Sequence, residues 1–247
     1  MDRRRLEVDR TDVNQEDNGG LTMRMGILGS GGVGQTVAAG LTRAGVEVMV
    51  GTRDPQATLS RPAAAGTQSF ADWSTEHPQI AVGTFAEAAR FGDAVILAVN
   101  GMAAEQVLQD AGPEALGQKI LLDLTNPLDF SAGFPPTLFV SNTDSLAETL
   151  QRSFPQVRVV KTLNTVNAAL MVSPDSLAGG DHTVFVSGDD DAAKQQVAQW
   201  LGEWFGWRDV IDLGDITTAR GTEELLALWV RLMGTLGTPR FQFKVVR

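Results

Sequence analysis

The sequence predicts a doubly wound α/β fold: a mostly parallel sheet of Rossmann type, in a single domain with a C-terminal helical cap. Three observations carry this. From Arg24 onward, short β-branched runs alternate with segments of helical period, the pattern of a parallel sheet covered by helices. A glycine-rich turn, Gly29-Ser30-Gly31-Gly32-Val33-Gly34, stands directly between the first run and the first helical segment. No linker, composition shift or internal repeat divides the 247 residues, so one nucleotide-binding domain with its cap is expected over 23–247, after a polar segment at 1–22.

Taken in order, Met25–Leu28 reads as the first strand, Val33–Arg43 as a helix and Glu47–Val50 as the second strand. The stretch Asp54 to Pro78, rich in Ala, Pro, Ser and Gln, reads as a short helix plus a loop. Ile80–Val82 makes a third short strand, Phe85–Phe91 a short helix, and Ala94–Val99 a buried fourth strand, since an unbroken apolar run suits a strand covered on both faces. Ala103–Asp110 is helical, and Lys119–Leu124 is a fifth strand that ends in Thr125-Asn126-Pro127. A helix around Ser145–Ser153, a strand Val157–Lys161, a helix near Val166–Met171 and a strand His182–Val186 follow. Asp190–Phe205 has helical spacing, Val210–Leu213 is strand-like, and Thr218–Leu236 is a long apolar helix, expected as core packing or as a dimer interface. The five tryptophans read as core or interface anchors.

Composition narrows the function. With no cysteine, disulfides, thiolate metal sites, iron–sulfur clusters and cysteine nucleophiles are excluded, and with only His77 and His182 a histidine-rich metal site is not expected. The formal charge of −10 opposes binding to nucleic acid or an anionic membrane, because phosphate needs Lys and Arg to displace its counterions. The first twenty residues, MDRRRLEVDRTDVNQEDNGG, lack the apolar core of a signal peptide and read as a flexible tail or an overlong start. A soluble cytoplasmic protein acting on small molecules is the expectation.

The spacing of the glycines has a chemical reason. Gly29 permits the tight strand-to-helix turn, Gly31 has no side chain to block a pyrophosphate, and Gly34 lets the helix lie close to the strand. The helix N-terminus then offers unpaired N–H groups and a partial positive charge. The end of the second strand chooses the nucleotide: a free ribose 2′-OH is usually met by a carboxylate about 20 residues past the loop, a 2′-phosphate by an Arg with small hydroxyl donors. Here Gly51-Thr52-Arg53 precedes the first carboxylate, Asp54, so the reading is NADP(H) over NAD. The alternative makes Arg53 a solvated surface residue.

Asn100, Asn126 and Asn164-Thr165 each follow a strand, at the edge where open α/β sheets bind ligands. Neutral amides converging there suit a nicotinamide carboxamide and do not form an acid/base pair. Each alone also fits a turn or a helix cap. Asp123 lies inside a strand as a candidate buried structural acid.

With the loop, Gly51-Thr52-Arg53-Asp54, Asn126-Pro127 and Val160-Lys161-Thr162-Leu163-Asn164-Thr165 read together, the chain resembles the F420-dependent NADP oxidoreductases from about Met23 to the C-terminus. That family shares its nucleotide domain with STEAP-type NADPH reductases and, more remotely, with pyrroline-5-carboxylate reductase. The resemblance implies that Ser30, Gly31 and Val33 touch the pyrophosphate, that Thr52 and Arg53 hold the 2′-phosphate, and that Val99 and Asn100 flank the ribose and nicotinamide. It places Asn164, Thr165 and Val166 near the nicotinamide face. Some family members have His where Asn164 stands, which leaves the acceptor open. The implied reaction is hydride transfer between NADP(H) and a deazaflavin, coenzyme F420, by a homodimer. The competing readings are an NADPH-dependent flavin or metal-complex reductase and a noncatalytic NADP(H)-binding sensor. A local excess of Arg220, Arg231, Arg240, Lys244 and Arg247 reads either as a patch for an anionic acceptor tail or as solvated surface charge.

Overall fold

A computed structural model of the chain describes residues 22–63 and 68–247. The polar segment expected at 1–22 lies outside the described residues apart from Thr22, as does part of the loop before Pro78. The chain opens with β1 (Arg24–Leu28), α1 (Gly32–Arg43) and β2 (Glu47–Thr52), then α2 (Pro55–Ser60), α3 (Phe70–Glu76), β3 (Ala81–Thr84), α4 (Phe85–Phe91) and β4 (Ala94–Leu97). A 3₁₀ turn at Gly101–Ala103 leads to α5 (Ala104–Ala111), α6 (Pro113–Leu116), β5 (Ile120–Asp123) and a small hairpin of β6 (Leu128–Asp129) and β7 (Thr137–Leu138). Then come α7 (Leu146–Ser153), β8 (Arg158–Thr162), α8 (Ala168–Met171), β9 (Val184–Ser187), α9 (Asp191–Trp200), β10 (Val210–Asp212) and α10 (Ala219–Leu236).

Eight strands form one sheet in the order β10-β9-β8-β5-β4-β1-β2-β3. Six run parallel from β3 to β8, while β9 pairs antiparallel with β8 and carries β10 parallel to itself. The expected mostly parallel, doubly wound sheet is therefore present. Alternation along each strand divides the core into two layers. Ile27, Ile96, Leu122 and Val160 pack on one face, with α1, α8 and α9. Leu28, Leu97, Leu121 and Val159 pack on the other, with α4, α5 and α7. The chain reverses direction across the sheet between β1 and β4, so the loops leaving those two strands part there and open a crevice.

Close approach of helix to sheet depends on missing side chains. A Cβ on Gly26 would collide with the carbonyl of Ala88, which is why α4 can lie directly on β1. Three features were not expected. The β6–β7 hairpin has strands of two residues, too short to show a period; α6 is a single turn; and α9 ends at Trp200, where the backbone widens into a π turn over Leu201–Phe205. Trp200 and Trp204 stack there, their ring centroids 5.0 Å apart, while Trp207 is sealed in the core with its Nε1 donating to the carbonyl of Met171. No helix of the described residues is long and apolar enough to cross a membrane.

Candidate functional site

The loop after β1 is shaped as its spacing requires. Gly29 sits at φ 133°, its N–H donates to the carbonyl of Gly51 at 3.0 Å, and any Cβ there would meet the carbonyl of Ala98. A Cβ on Gly34 would strike the carbonyl of Gly29, so this glycine is what seats α1 against the strand. Gly31 and Gly32 differ: a Cβ on either would meet nothing within 4 Å. The N-cap position of α1 is Gly31 itself, with no side-chain cap, and no acidic residue stands in the first turn. Bare N–H groups and the positive helix end thus face open space, the arrangement a pyrophosphate needs. Gln35 Nε2 holds the carbonyl of Ser30 at 2.8 Å, and Val33 packs half-buried against the core.

At the end of β2, Thr52 is buried with Oγ1 2.7 Å from Thr58 Oγ1. Arg53 is exposed and makes no ion pair among the described residues. Asp54 Oδ1 accepts from the N–H of Ala57 at 2.9 Å, capping α2. The carboxylate nearest the turn is therefore committed to a helix start, and the group left facing solvent is a guanidinium.

The other strand ends meet farther along the same edge. Val99 lies against Gly29, so the β4 exit closes on the glycine loop. Asn100 is exposed and its Oδ1 caps the N–H of Met102 at 2.9 Å, the helix-cap alternative. Gly101 lets that turn approach the β5 exit, since a Cβ would hit the carbonyl of Asn126. Asn126 Nδ2 donates to the backbone carbonyl of Asn164 at 2.8 Å, and Asn164 Nδ2 donates to Asn126 Oδ1 and to the carbonyl of Thr222, both at 3.0 Å. Backbone carbonyls accept and never donate, so these contacts fix which way each amide points. Both N–H groups of Asn164 are spent and its Oδ1 is not; Asn126 keeps one N–H. Among the described residues the pair thus leaves the Asn164 Oδ1 acceptor and one Asn126 N–H donor without a partner. Leu163, buried at φ 57°, makes the turn that swings Asn164 inward, a left-handed conformation that costs about 1–3 kcal/mol in a side chain of this kind. Thr165 is buried next to it.

Next to the amides is a buried cluster in which the sequence marks Asp123 as a candidate structural acid and shows Lys161 only as part of the strand and motif it belongs to. Lys161, Asp123 and Glu223 are 1%, 0% and 1% exposed. Lys161 Nζ donates to Asp123 Oδ2 at 3.0 Å, to the carbonyl of Thr125 at 2.5 Å and to Glu223 Oε1 at 2.9 Å. Burial pulls the ammonium's pKa down, but the charges of Asp123 and Glu223 outweigh it and hold Lys161 above the usual lysine value. Glu223 also accepts from the N–H groups of Leu146 and Ala147 at 2.8 and 3.0 Å, a carboxylate on the positive end of α7. Arg220 pairs with Glu148 on the same helix, and the N–H of Asn142 donates to Glu224 at 2.5 Å. The first turns of α10 therefore clasp the β5 and β8 exits. The C-terminal basic excess is largely spent on local partners: Arg220 on Glu148, Arg240 on the carbonyl of Ser176, Lys244 on Asp181, Arg247 on Asp209.

The family described as NADP oxidoreductase, coenzyme F420-dependent, matches residues 24–127. A crystal structure from Arthrobacter sp. FB24, described as a candidate F420-dependent NADP reductase, is 54% identical, with 91% of this chain and 100% of that one aligned at a TM-score of 0.88. The F420-dependent NADP reductase of Methanothermobacter marburgensis is 29% identical over 220 residues, 85% of this chain and 92% of its own length. The rat metalloreductase STEAP3 is 28% identical over 218 residues; that region is 87% of this chain, which spans only 38% of the rat protein. Fold, loop and relatives together define an NADP-dependent oxidoreductase. Within that class, the chain belongs to the F420-dependent NADP oxidoreductase family.

Proposed function

We propose that the chain passes a hydride between NADP(H) and the deazaflavin coenzyme F420, in the crevice at the carboxyl edge of the sheet. The observation that carries the nucleotide part is the Asn126–Asn164 pair. One free carbonyl with one free N–H is the complement of a primary carboxamide, which carries one of each. In this reading Gly29, Ser30, Gly31, Gly32, Val33 and Gly34 cradle the pyrophosphate, Arg53 beside Thr52 takes the 2′-phosphate, Val99 and Asn100 border the ribose, and Asn126, Asn164 and Thr165 hold the nicotinamide end. When bound, the nicotinamide supplies the hydride. The protein supplies alignment, and the first turns of α10 wall the far side of the amide pair.

The deazaflavin as acceptor is supported by the family and by the near full-length similarity to proteins bearing that name. A second reading, an NADPH-dependent flavin or metal-complex reductase, is favoured by the similarity to the rat metalloreductase across 87% of this chain. Asn164 also stands where the resemblance allows a His, on the side toward the acceptor. The proposal includes a homodimer through the outer face of α10, where Leu228 and Leu236 are 49% and 54% exposed. Size-exclusion chromatography with light scattering checks the pairing, a monomer mass refuting it.

The test of function is NADPH oxidation with deazaflavin, FMN and ferric chelates in parallel, repeated with Asn164→Leu. Saturable turnover with deazaflavin, lost in the variant, supports the proposal. Turnover only with FMN or a chelate transfers support to the second reading. Tight NADPH binding without turnover on any acceptor leaves a sensor and removes the enzyme.

A further inference from the structure

We propose that Lys161 is a positioning residue: its buried ammonium draws the ends of β5, β8 and α10 onto one point and thereby sets the orientation of the Asn126 and Asn164 amides. The inference rests on the reading of that edge as the nicotinamide end.

Two of the ammonium's three bonds end beside a residue that builds the amide pair. The Thr125 carbonyl it holds at 2.5 Å belongs to the peptide linking Thr125 to Asn126. Glu223, at 2.9 Å, follows Thr222, whose carbonyl takes an N–H of Asn164 at 3.0 Å. Lys161 itself lies on β8, and the strained turn at Leu163 separates it from Asn164. Shifting the ammonium therefore shifts three supports of the amides together. Asp123 Oδ2 anchors the ammonium at 3.0 Å, while its Oδ1 accepts from the N–H and Oγ1 of Thr125 at 2.9 and 2.6 Å, holding the residue that carries that carbonyl.

Stability alone does not account for this cluster. Taking one lysine and two carboxylates out of water carries a desolvation penalty of several kcal/mol per ion, and apolar side chains of similar volume commonly hold such a place as well or better. What apolar groups cannot do is specify direction, because dispersion is indifferent to rotation whereas three donors on one nitrogen are not. Nor is Lys161 placed to give or take a proton. All three N–H groups are engaged, and the residue is 1% exposed.

Lys161→Met alone strands two buried carboxylates and can unfold the chain, so the primary test is the charge-free triple variant Asp123→Asn, Lys161→Met, Glu223→Gln. Glu223→Gln alone, which leaves Lys161 paired with Asp123, reads the same ratios if the triple variant does not fold. Three ligands are titrated by tryptophan fluorescence: 2′,5′-ADP, which reports only the phosphate end; NADPH; and the 3-acetylpyridine analogue of NADPH, which keeps the carbonyl but lacks the amide N–H. The variants are expected to bind 2′,5′-ADP within about twofold of wild type, to bind NADPH at least about tenfold more weakly, and to lose most of the preference for NADPH over the analogue, the single variant falling between. A folded variant that binds all three as wild type does makes Lys161 merely structural and overturns the proposal. Failures of the underlying reading look different. Wild type that binds 2′,5′-ADP yet does not distinguish NADPH from the analogue refutes the carboxamide edge, and wild type that binds none of the three refutes the nucleotide site; either result overturns the Lys161 proposal with it.

Discussion

At the phosphate end of the crevice, glycines and a bare helix start leave space; at the amide end, Asn126, Asn164, Thr222, Lys161, Asp123 and Glu223 fill it with directed bonds. The first end recognises by what is absent. A pyrophosphate is large, multiply charged and tolerant of angle, so backbone N–H groups and a dipole suffice. The second end must distinguish a carbonyl from an N–H about 2 Å apart in a planar group, which requires fixed amides and therefore supports for those amides. Tolerance to substitution should differ accordingly: side chains added at Gly31 or Gly32 should affect ligand and not fold, whereas side chains removed at the second end should affect both.

The largest effect is expected at Glu223. Glu223→Ala removes a partner of Lys161 and the carboxylate on the start of α7, and breaking a buried pair of this kind costs about 3–5 kcal/mol. Urea unfolding measures it, and a loss near zero would break the contrast by making the amide end as tolerant as the loop. Next comes Gly31→Val. Its new side chain enters open space, so stability should change by no more than about 1 kcal/mol, while NADPH affinity falls at least about 100-fold. Intact circular dichroism with unchanged affinity would remove the loop from the site. Arg53→Ala should cost NADPH about 1.5 kcal/mol, roughly tenfold in affinity, and leave NADH unchanged. Retention of the full NADPH preference would return Arg53 to the solvated surface.

The smallest effect sharpens the comparison at the clasp of α10. Hydrogen bonding to the Arg220 guanidinium holds the Glu148 carboxyl below the ordinary 4.5, with Ser145 adding to it. A depressed carboxylate contributes stability in full above its unfolded value and loses it as pH falls through the folded one. Because Arg220 is about a third exposed and its pair is screened by solvent, Arg220→Ala should cost the least of these substitutions at neutral pH. The difference in melting temperature between wild type and variant should shrink as the pH drops below 4.5. A difference that does not shrink as the pH falls would mean that Arg220 acts by packing.

The same contrast explains what was legible. The strand–loop–helix start could be read because its logic is local: Gly29 and Gly34 meet five positions apart, and Asp54 caps Ala57 three positions on. The strand exits could be read as an edge, and Asn100, Asn126 and Asn164 were found as amides there. What each amide bonds to could not be read. Asn126 and Asn164 pair across 38 residues, Asn164 reaches Thr222 across 58, and Glu223 meets Leu146 across 77. Nothing in the composition around Lys161 distinguishes a buried lysine from one at a strand end in solvent. The β6–β7 hairpin escaped for a different reason, since two residues cannot display a period of two.

Those separations also impose an order in time. Chain closure over a few residues is fast and inexpensive in entropy, while pairing across dozens waits for the intervening chain. The glycine loop and its flanking βαβ unit can organise as soon as β2 has left the ribosome, but the amide edge cannot acquire its supports until α10, far later in the chain, is in place. A chain stopped before Ala219 is thus expected to retain a cradle for phosphates and to lack the means of orienting a ring.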